Sequence, residues 1–152
     1  MNLRLRIPPL AVVALAGGLA WITARIVPAL NFEFSGRAEL AATFGLLGVA
    51  CSVLGVASFR LARTTVNPMT PDATTALVVS GIYRVTRNPM YLGFLLLLLA
   101  EMVWLANPVA FLVVPAFVLY LNRFQIGPEE IALRSRFAAE FQAYTHRVRR
   151  WI

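Results

Sequence analysis

Apolar residues in this chain come as long runs with polar residues gathered between them. Ile7 to about Leu30 and Leu40 to Leu61 are nearly unbroken apolar stretches. At about 1.5 Å of rise per residue each is long enough to cross about 30 Å of hydrocarbon as a helix. Met90 to Ala106 and Val109 to about Phe124 form two further runs, separated only by Asn107-Pro108. A break that short, with proline placed to open the next helix, predicts a tight antiparallel helical hairpin. Both hairpin helices are short for a full crossing, which predicts local thinning of the bilayer or a tip below the far surface. Pro115 is expected to kink the fourth helix and free a carbonyl.

Within the second run, Gly45, Gly48, Ser52 and Gly55 recur every three or four residues and so line one helical face, as a closely approaching neighbour helix requires. The pattern changes after Gln125. From Gly127 to Ile152, Leu133, Phe137, Phe141, Tyr144, Val148 and Trp151 recur at helical spacing among arginines and other polar residues. That spacing predicts an amphipathic helix lying on the membrane or on the protein's own loops. Thr64 to Val79, with Pro68 and Pro71 and no sustained period before Ala76, reads as an ordered loop. The expected architecture is an all-α integral membrane protein forming a single domain over 1–152. It has four transmembrane helices, a loop over 62–89 and an amphipathic tail over 125–152.

Composition strengthens this reading. Of the 152 residues 59% are hydrophobic and 14% charged, with mean hydropathy +0.72, too little polar surface to wrap a soluble globule of this size. The 14 basic residues are all arginine and outnumber seven acids, a formal net charge of +7. In so apolar a chain the excess points to lipid headgroups and cytoplasmic loops, not to nucleic acid, since the arginines are not interleaved with aromatics on a soluble module. Arg25 and Arg37 lie on one side of the expected topology and the other twelve on the opposite side, which predicts that both termini and the 62–89 loop are cytoplasmic. Arg4 and Arg6 before an apolar run also fit a cleaved signal peptide, but the run extends past Trp21 to Ile26, too long for one, and the first span is expected to be retained. Cys51, the single cysteine, excludes an internal disulfide and reads as a small core residue.

Candidate chemistry is sparse and concentrated. The sequence holds no glycine-rich dinucleotide loop after a strand, no phosphate-binding lysine loop and no histidine and cysteine cluster at metal spacing, so no metal site is expected. His146, the single histidine, sits among arginines and reads as a solvated residue. Ser80 to Gly93, SGIYRVTRNPMYLG, instead presses Arg84, Arg87 and an Asn88-Pro89 turn against the most apolar run in the chain. Charges at the mouth of a membrane helix must bind something or meet headgroups. Glu129 and Glu130 follow Arg123 and Pro128 at the same expected face, either as the dipole-compensating first turn of a helix or as ligands for a ribose hydroxyl or an ammonium group. Glu101, within the third run, must pair, protonate or meet water, and Arg25 is its expected partner. Trp21, Trp104 and Tyr120 read as interface anchors or packing.

Three stretches together, TTVNP at 64–68, LVVSGIYRVTRNPMYLG at 77–93 and NRFQIGPEEIALRSRFAAEFQAYTHRVRRWI at 122–152, resemble the isoprenylcysteine carboxyl methyltransferase family, within the wider group of small membrane methyltransferases that includes phospholipid methyltransferases. The resemblance covers about the last 90 residues. It implies an integral membrane enzyme that uses S-adenosylmethionine without a Rossmann fold. By position it implies that Arg87, Asn88, Pro89 and Tyr91, with the adjoining Tyr83 and Leu92, form a cofactor-binding turn, and that Glu129 and Glu130 are the family's acidic pair. Asn88 stands where family members often have histidine, and Ala138 and Phe141 replace a usual glycine and tyrosine. Under this reading Arg87, Arg123 and Glu130 are the candidate catalytic residues, a tyrosine ring favours the sulfonium, and the acceptor is lipophilic or small: a carboxylate, a thiol or a lipid amine. The readings kept open beside it are an NADPH-dependent membrane reductase of related architecture and a four-helix transporter built on Glu101. Oligomeric state is not legible.

Overall fold

The computed structural model describes residues 7–63 and 76–152. Arg4, Arg6 and most of the expected 64–79 loop, including the TTVNP stretch, lie outside the described residues. Among the described residues six α-helices follow in order: α1 (Pro9–Ile26), α2 (Arg37–Leu61), α3 (Pro89–Leu105), α4 (Val113–Leu121), α5 (Gly127–Arg136) and α6 (Ala138–Arg147). Among the described residues there is no strand. The protein is an all-α membrane protein. Among the described residues three helical stretches are long and apolar enough to cross a bilayer: α1, α2 and the run Ala110–Arg136 that contains α4 and α5. The fourth apolar helix, α3, has 17 residues and spans about 26 Å. Large side chains such as Leu15, Leu19, Leu46, Leu47, Val53 and Leu54 point outward from α1 and α2, as lipid-facing positions do.

α3 is the axis of the fold. The small-residue face read from the sequence packs antiparallel along it, with Gly45 against Ala100, Gly48 against Leu97, Ser52 against Gly93 and Gly55 against Met90. A Cβ on Gly93 would fall 2.6 Å from the Gly48 carbonyl oxygen and closer still to the Ser52 hydroxyl, so only glycine permits this approach. On other sides of α3, α1 and α4 close a core of Ala20, Tyr91, Leu98, Met102, Phe117, Leu121 and Ile126.

The Asn107-Pro108 hairpin forms as expected. Ala106 ends α3 in the left-handed region (φ 48°), and the Asn107 side chain accepts from the backbone N–H groups of Val109 and Ala110. Its amide donates to the Val27 carbonyl at 3.0 Å and to Asn31 Oδ1 at 2.6 Å, tying the tip to the end of α1.

Four expectations are corrected. Pro115 does not interrupt a helix interior: it stands in the first turn of α4, just after a 3₁₀ turn at Ala110–Leu112, where a missing N–H costs little. Nor does the fourth helical run stop near Phe124. It continues through a π turn, Asn122–Ile126, into α5. There the Gly127 N–H donates to the Asn122 carbonyl five residues back, and the wider turn accommodates the Pro128 ring. The tail is two helices, broken at Phe137, and the Phe141, Tyr144 and Val148 face of α6 packs on Leu77, Leu133 and Phe137. Finally, Arg25 does not pair with Glu101. Arg25 lies over the Trp21 ring, 5.0 Å from its centroid, while the Glu101 carboxylate sits where a Cβ of Gly17 would be.

Candidate functional site

The site is built where three segments meet at the N-terminal end of α3. The first is the turn that enters it. Gly81 takes φ +60° to start a 3₁₀ turn through Arg84, a conformation other side chains rarely adopt. This aims Tyr83 inward, edge-on to Phe59 of α2 at 5.4 Å between centroids. Tyr144 of α6 donates to the Tyr83 carbonyl at 2.7 Å. Burial first, then the neighbouring Tyr144 and Glu129, hold the Tyr83 phenol above its ordinary range. Burial also raises the Tyr144 phenol, with Arg87 opposing it, and both tyrosines are neutral near pH 7. Thr86 is fully buried, and its hydroxyl accepts from the Asn88 N–H at 3.1 Å, shaping the turn into Pro89, the first residue of α3.

The second segment is α5. The π turn adds one residue to the path and thereby sets the direction in which Glu129 and Glu130 leave the helix. Glu129 accepts a short hydrogen bond from the hydroxyl of Tyr91, itself buried in the first turns of α3. Glu130 is half-buried and faces Arg87, whose Nη2 lies 3.1 Å from Oε1. The adjacent acids therefore have different partners, a phenol for one and a guanidinium for the other.

The third segment is the end of the tail. Arg150 places Nε 3.1 Å from Glu130 Oε1 and Nη2 2.5 Å from Oε2, a bidentate pair. Its own carbonyl accepts from the Asn88 amide at 2.9 Å and from the Thr86 hydroxyl at 3.4 Å, and the Arg149 carbonyl accepts from the Arg87 N–H at 3.1 Å. Asn122, in the π turn, accepts from Trp151 Nε1 at 3.2 Å and Arg150 Nη1 at 3.4 Å.

Of the residues singled out in the sequence, Tyr83, Arg87, Asn88, Pro89, Tyr91, Glu129 and Glu130 are gathered in one place. Leu92 lies buried in the first turn of α3, beneath that group. Arg123 does not join it: the residue is exposed on the π turn, and among the described residues no ion pair reaches it. Arg150, Asn122, Trp151 and Thr86 are additions that sequence reasoning missed. The available signal for Arg150 was charge balance, since two adjacent acids at a membrane face need more than the single cation of Arg87.

Of this constellation at the mouth of an apolar helix, the two tyrosines, the two carboxylates and Arg87 lie inside a stretch that matches known proteins. The sequence model described as phospholipid methyltransferase matches residues 37–140, from the start of α2 into α6. The chain belongs to the phospholipid methyltransferase family. An uncharacterized protein of Haemophilus influenzae is 49% identical over 63 residues, 41% of this chain and the whole of that protein. Two proteins of Oryza sativa, from subspecies indica and japonica and both named probable protein-S-isoprenylcysteine O-methyltransferase, are 39% identical over 75 residues. The matched region is 47% of this chain and 38% of each rice protein, so the chain corresponds to well under half of their length. No solved structure matches the chain. Membership in this methyltransferase family agrees with the resemblance read from the R-N-P-M-Y turn, the hairpin and the E-E-x-x-L tail. Tyr91, Glu129 and Glu130 fall inside the family match, whereas Arg150 and Trp151 lie beyond it.

Proposed function

We propose that the chain transfers a methyl group from S-adenosylmethionine to a lipophilic acceptor at the cytoplasmic face of a membrane. The observation that carries this reading is the pairing of Tyr91 with Glu129 beside Arg87. A buried aromatic residue, a carboxylate and a guanidinium stand within one cluster at the end of an apolar helix. The donor set suits a zwitterionic sulfonium ligand. Arg87 Nε is buried with no partner among the described residues, a donor left for a ligand carboxylate or an anionic acceptor. Glu129, held by the Tyr91 hydroxyl, has acceptor capacity left for a ribose hydroxyl or an ammonium group. The faces of Tyr91 and Tyr83 favour positive charge through their ring quadrupoles. When bound, S-adenosylmethionine would supply an activated methyl on sulfur for in-line displacement.

The protein's part is then alignment and exclusion of water. Asn88 and Pro89 fix the turn that carries Arg87, and the apolar wall of α3 and α4 gives a lipophilic acceptor a lateral path from the bilayer. The cytoplasmic orientation rests on the arginine bias, since Arg60, Arg63, Arg84, Arg87 and the tail arginines share the end of the molecule that holds the site. The acceptor class proposed is a lipid amine, a thiol or a carboxylate on an apolar carrier.

The test is transfer of isotope-labelled methyl from S-adenosylmethionine into the organic-extractable fraction of membranes containing the protein. Label above the level of a Glu129→Ala control supports the reading. No label, together with protein-dependent oxidation of NADPH, overturns it in favour of a membrane reductase.

A further inference from the structure

Glu130 and Glu129 are adjacent in sequence but differ in what the fold leaves them to do. Glu130 accepts two charge-assisted hydrogen bonds from Arg150, from Nε and Nη2, and forms an ion pair with Arg87 Nη2 at 3.1 Å, so both of its oxygens are engaged by cations. Its two cations come from opposite sides of the site, one from the turn before α3 and one from the end of the tail. Arg150 also reaches further than a single ion pair. Its carbonyl holds Asn88 and Thr86, and its remaining guanidinium nitrogen reaches Asn122 in the π turn. One residue thus touches the turn, one acid of the pair and the π turn that aims both acids. Arg150 is about one-third exposed, and Glu130 and Arg87 much less, so the pair closes the rim of the cluster.

We infer that Arg150 is a positioning residue: by chelating Glu130 and carrying the 86–88 turn on its carbonyl, it locks turn, acid pair and π turn into one frame and leaves Glu129 as the carboxylate that meets the ligand. This inference rests on the cofactor reading proposed above. It changes the assignment within that reading, because Glu130 becomes part of the frame. The bidentate geometry matters physically. A guanidinium fork fixes the plane of the carboxylate, whereas an ammonium supplies a point charge with no preferred plane. Substitution by lysine therefore keeps the charge and loses the orientation.

The experiment is calorimetric titration of S-adenosylmethionine into detergent-purified full-length protein, comparing wild type with Arg150→Ala, Arg150→Lys and Asn31→Ala. Asn31→Ala removes a hydrogen bond at the far end of the molecule and serves as a destabilised control. The expected result is a Kd raised on the order of 10- to 100-fold by Arg150→Ala and to an intermediate value by Arg150→Lys, with the Asn31→Ala value unchanged. That graded recovery is a signature that general loss of stability does not produce. If Arg150→Ala fails to fold, Arg150→Lys decides alone, and a Kd equal to wild type overturns the inference. Folded Arg150→Ala that binds within about twofold of wild type, well under the 1.4 kcal/mol of a tenfold change, overturns it too. A wild-type protein that binds no S-adenosylmethionine is a separate result: it overturns the cofactor reading itself, and the positioning role falls with it.

Discussion

α3 begins and ends at an Asn-Pro pair, Asn88-Pro89 and Asn107-Pro108, and the two ends are put to different use. At the hairpin tip Asn107 is fully buried, and each of its polar atoms is satisfied by neutral groups: two backbone N–H donors, the Val27 carbonyl and Asn31. Beside it Phe32, Phe34, Leu40, Val103, Ala106 and Phe111 line an apolar cavity of about 240 Å³ with no charged side chain. At the opposite end Asn88 also donates to a distant carbonyl, that of Arg150, but its neighbours are two carboxylates and two guanidiniums, one of which has a nitrogen with no partner among the described residues. The same dipeptide stitches distant segments in both places. What marks the end proposed to be functional is the surplus of charge that the stitching does not consume.

Four substitutions test this contrast, beginning with the residue that lies between the ends. Gly93→Ala should be the most damaging, about 3 kcal/mol or more, because the added methyl would meet the backbone of Gly48 and Ser52, which cannot yield as a flexible side chain would. Chemical denaturation in mixed micelles would show it as loss of both ends together. Asn107→Ala should cost about 2–3 kcal/mol in the same assay by leaving two helix-start N–H groups unpaired in an apolar setting and removing the amide donor from Val27 and Asn31, while protein that still folds binds S-adenosylmethionine as wild type does. Glu130→Ala should cost about 2 kcal/mol by leaving Arg87 and Arg150 facing one another without their shared anion, and unlike Asn107→Ala it should also weaken S-adenosylmethionine binding. Arg123→Ala, at an exposed position outside the cluster, should change thermal stability by less than about 0.5 kcal/mol and leave binding as in wild type.

Much of this arrangement is legible in the sequence because it depends on spacing. Gly45, Gly48, Ser52 and Gly55 lie on one helical face, and that face is where α3 packs. The two Asn-Pro turns, the apolar runs and the aromatic spacing of the tail are local signals of the same kind. The π turn is not local in that sense. It arises because Gly127 and Pro128 are carried inside a helix whose continuation is stabilised by packing of Phe117, Leu121 and Ile126 in the core, and a Gly-Pro pair read alone predicts a stop. Charge balance calls for a second cation near the acids but does not single out Arg150, whose partners Glu130 and Asn88 are 20 and 62 residues away and become neighbours only in the fold. Glu101 shows the limit of depth arguments. Similar depth made Arg25 its expected partner, yet Arg25 turned to Trp21 and the carboxylate filled the space that Gly17 leaves open on α1.

The central claim is that the Tyr91, Glu129 and Arg87 cluster is a sulfonium cofactor site. Its most direct test is calorimetry of S-adenosylmethionine with wild type and Glu129→Ala, both verified as folded. Micromolar binding by wild type, lost in Glu129→Ala, is the predicted result. Binding that survives Glu129→Ala unchanged, or a folded wild type that binds NADPH and not S-adenosylmethionine, would contradict it.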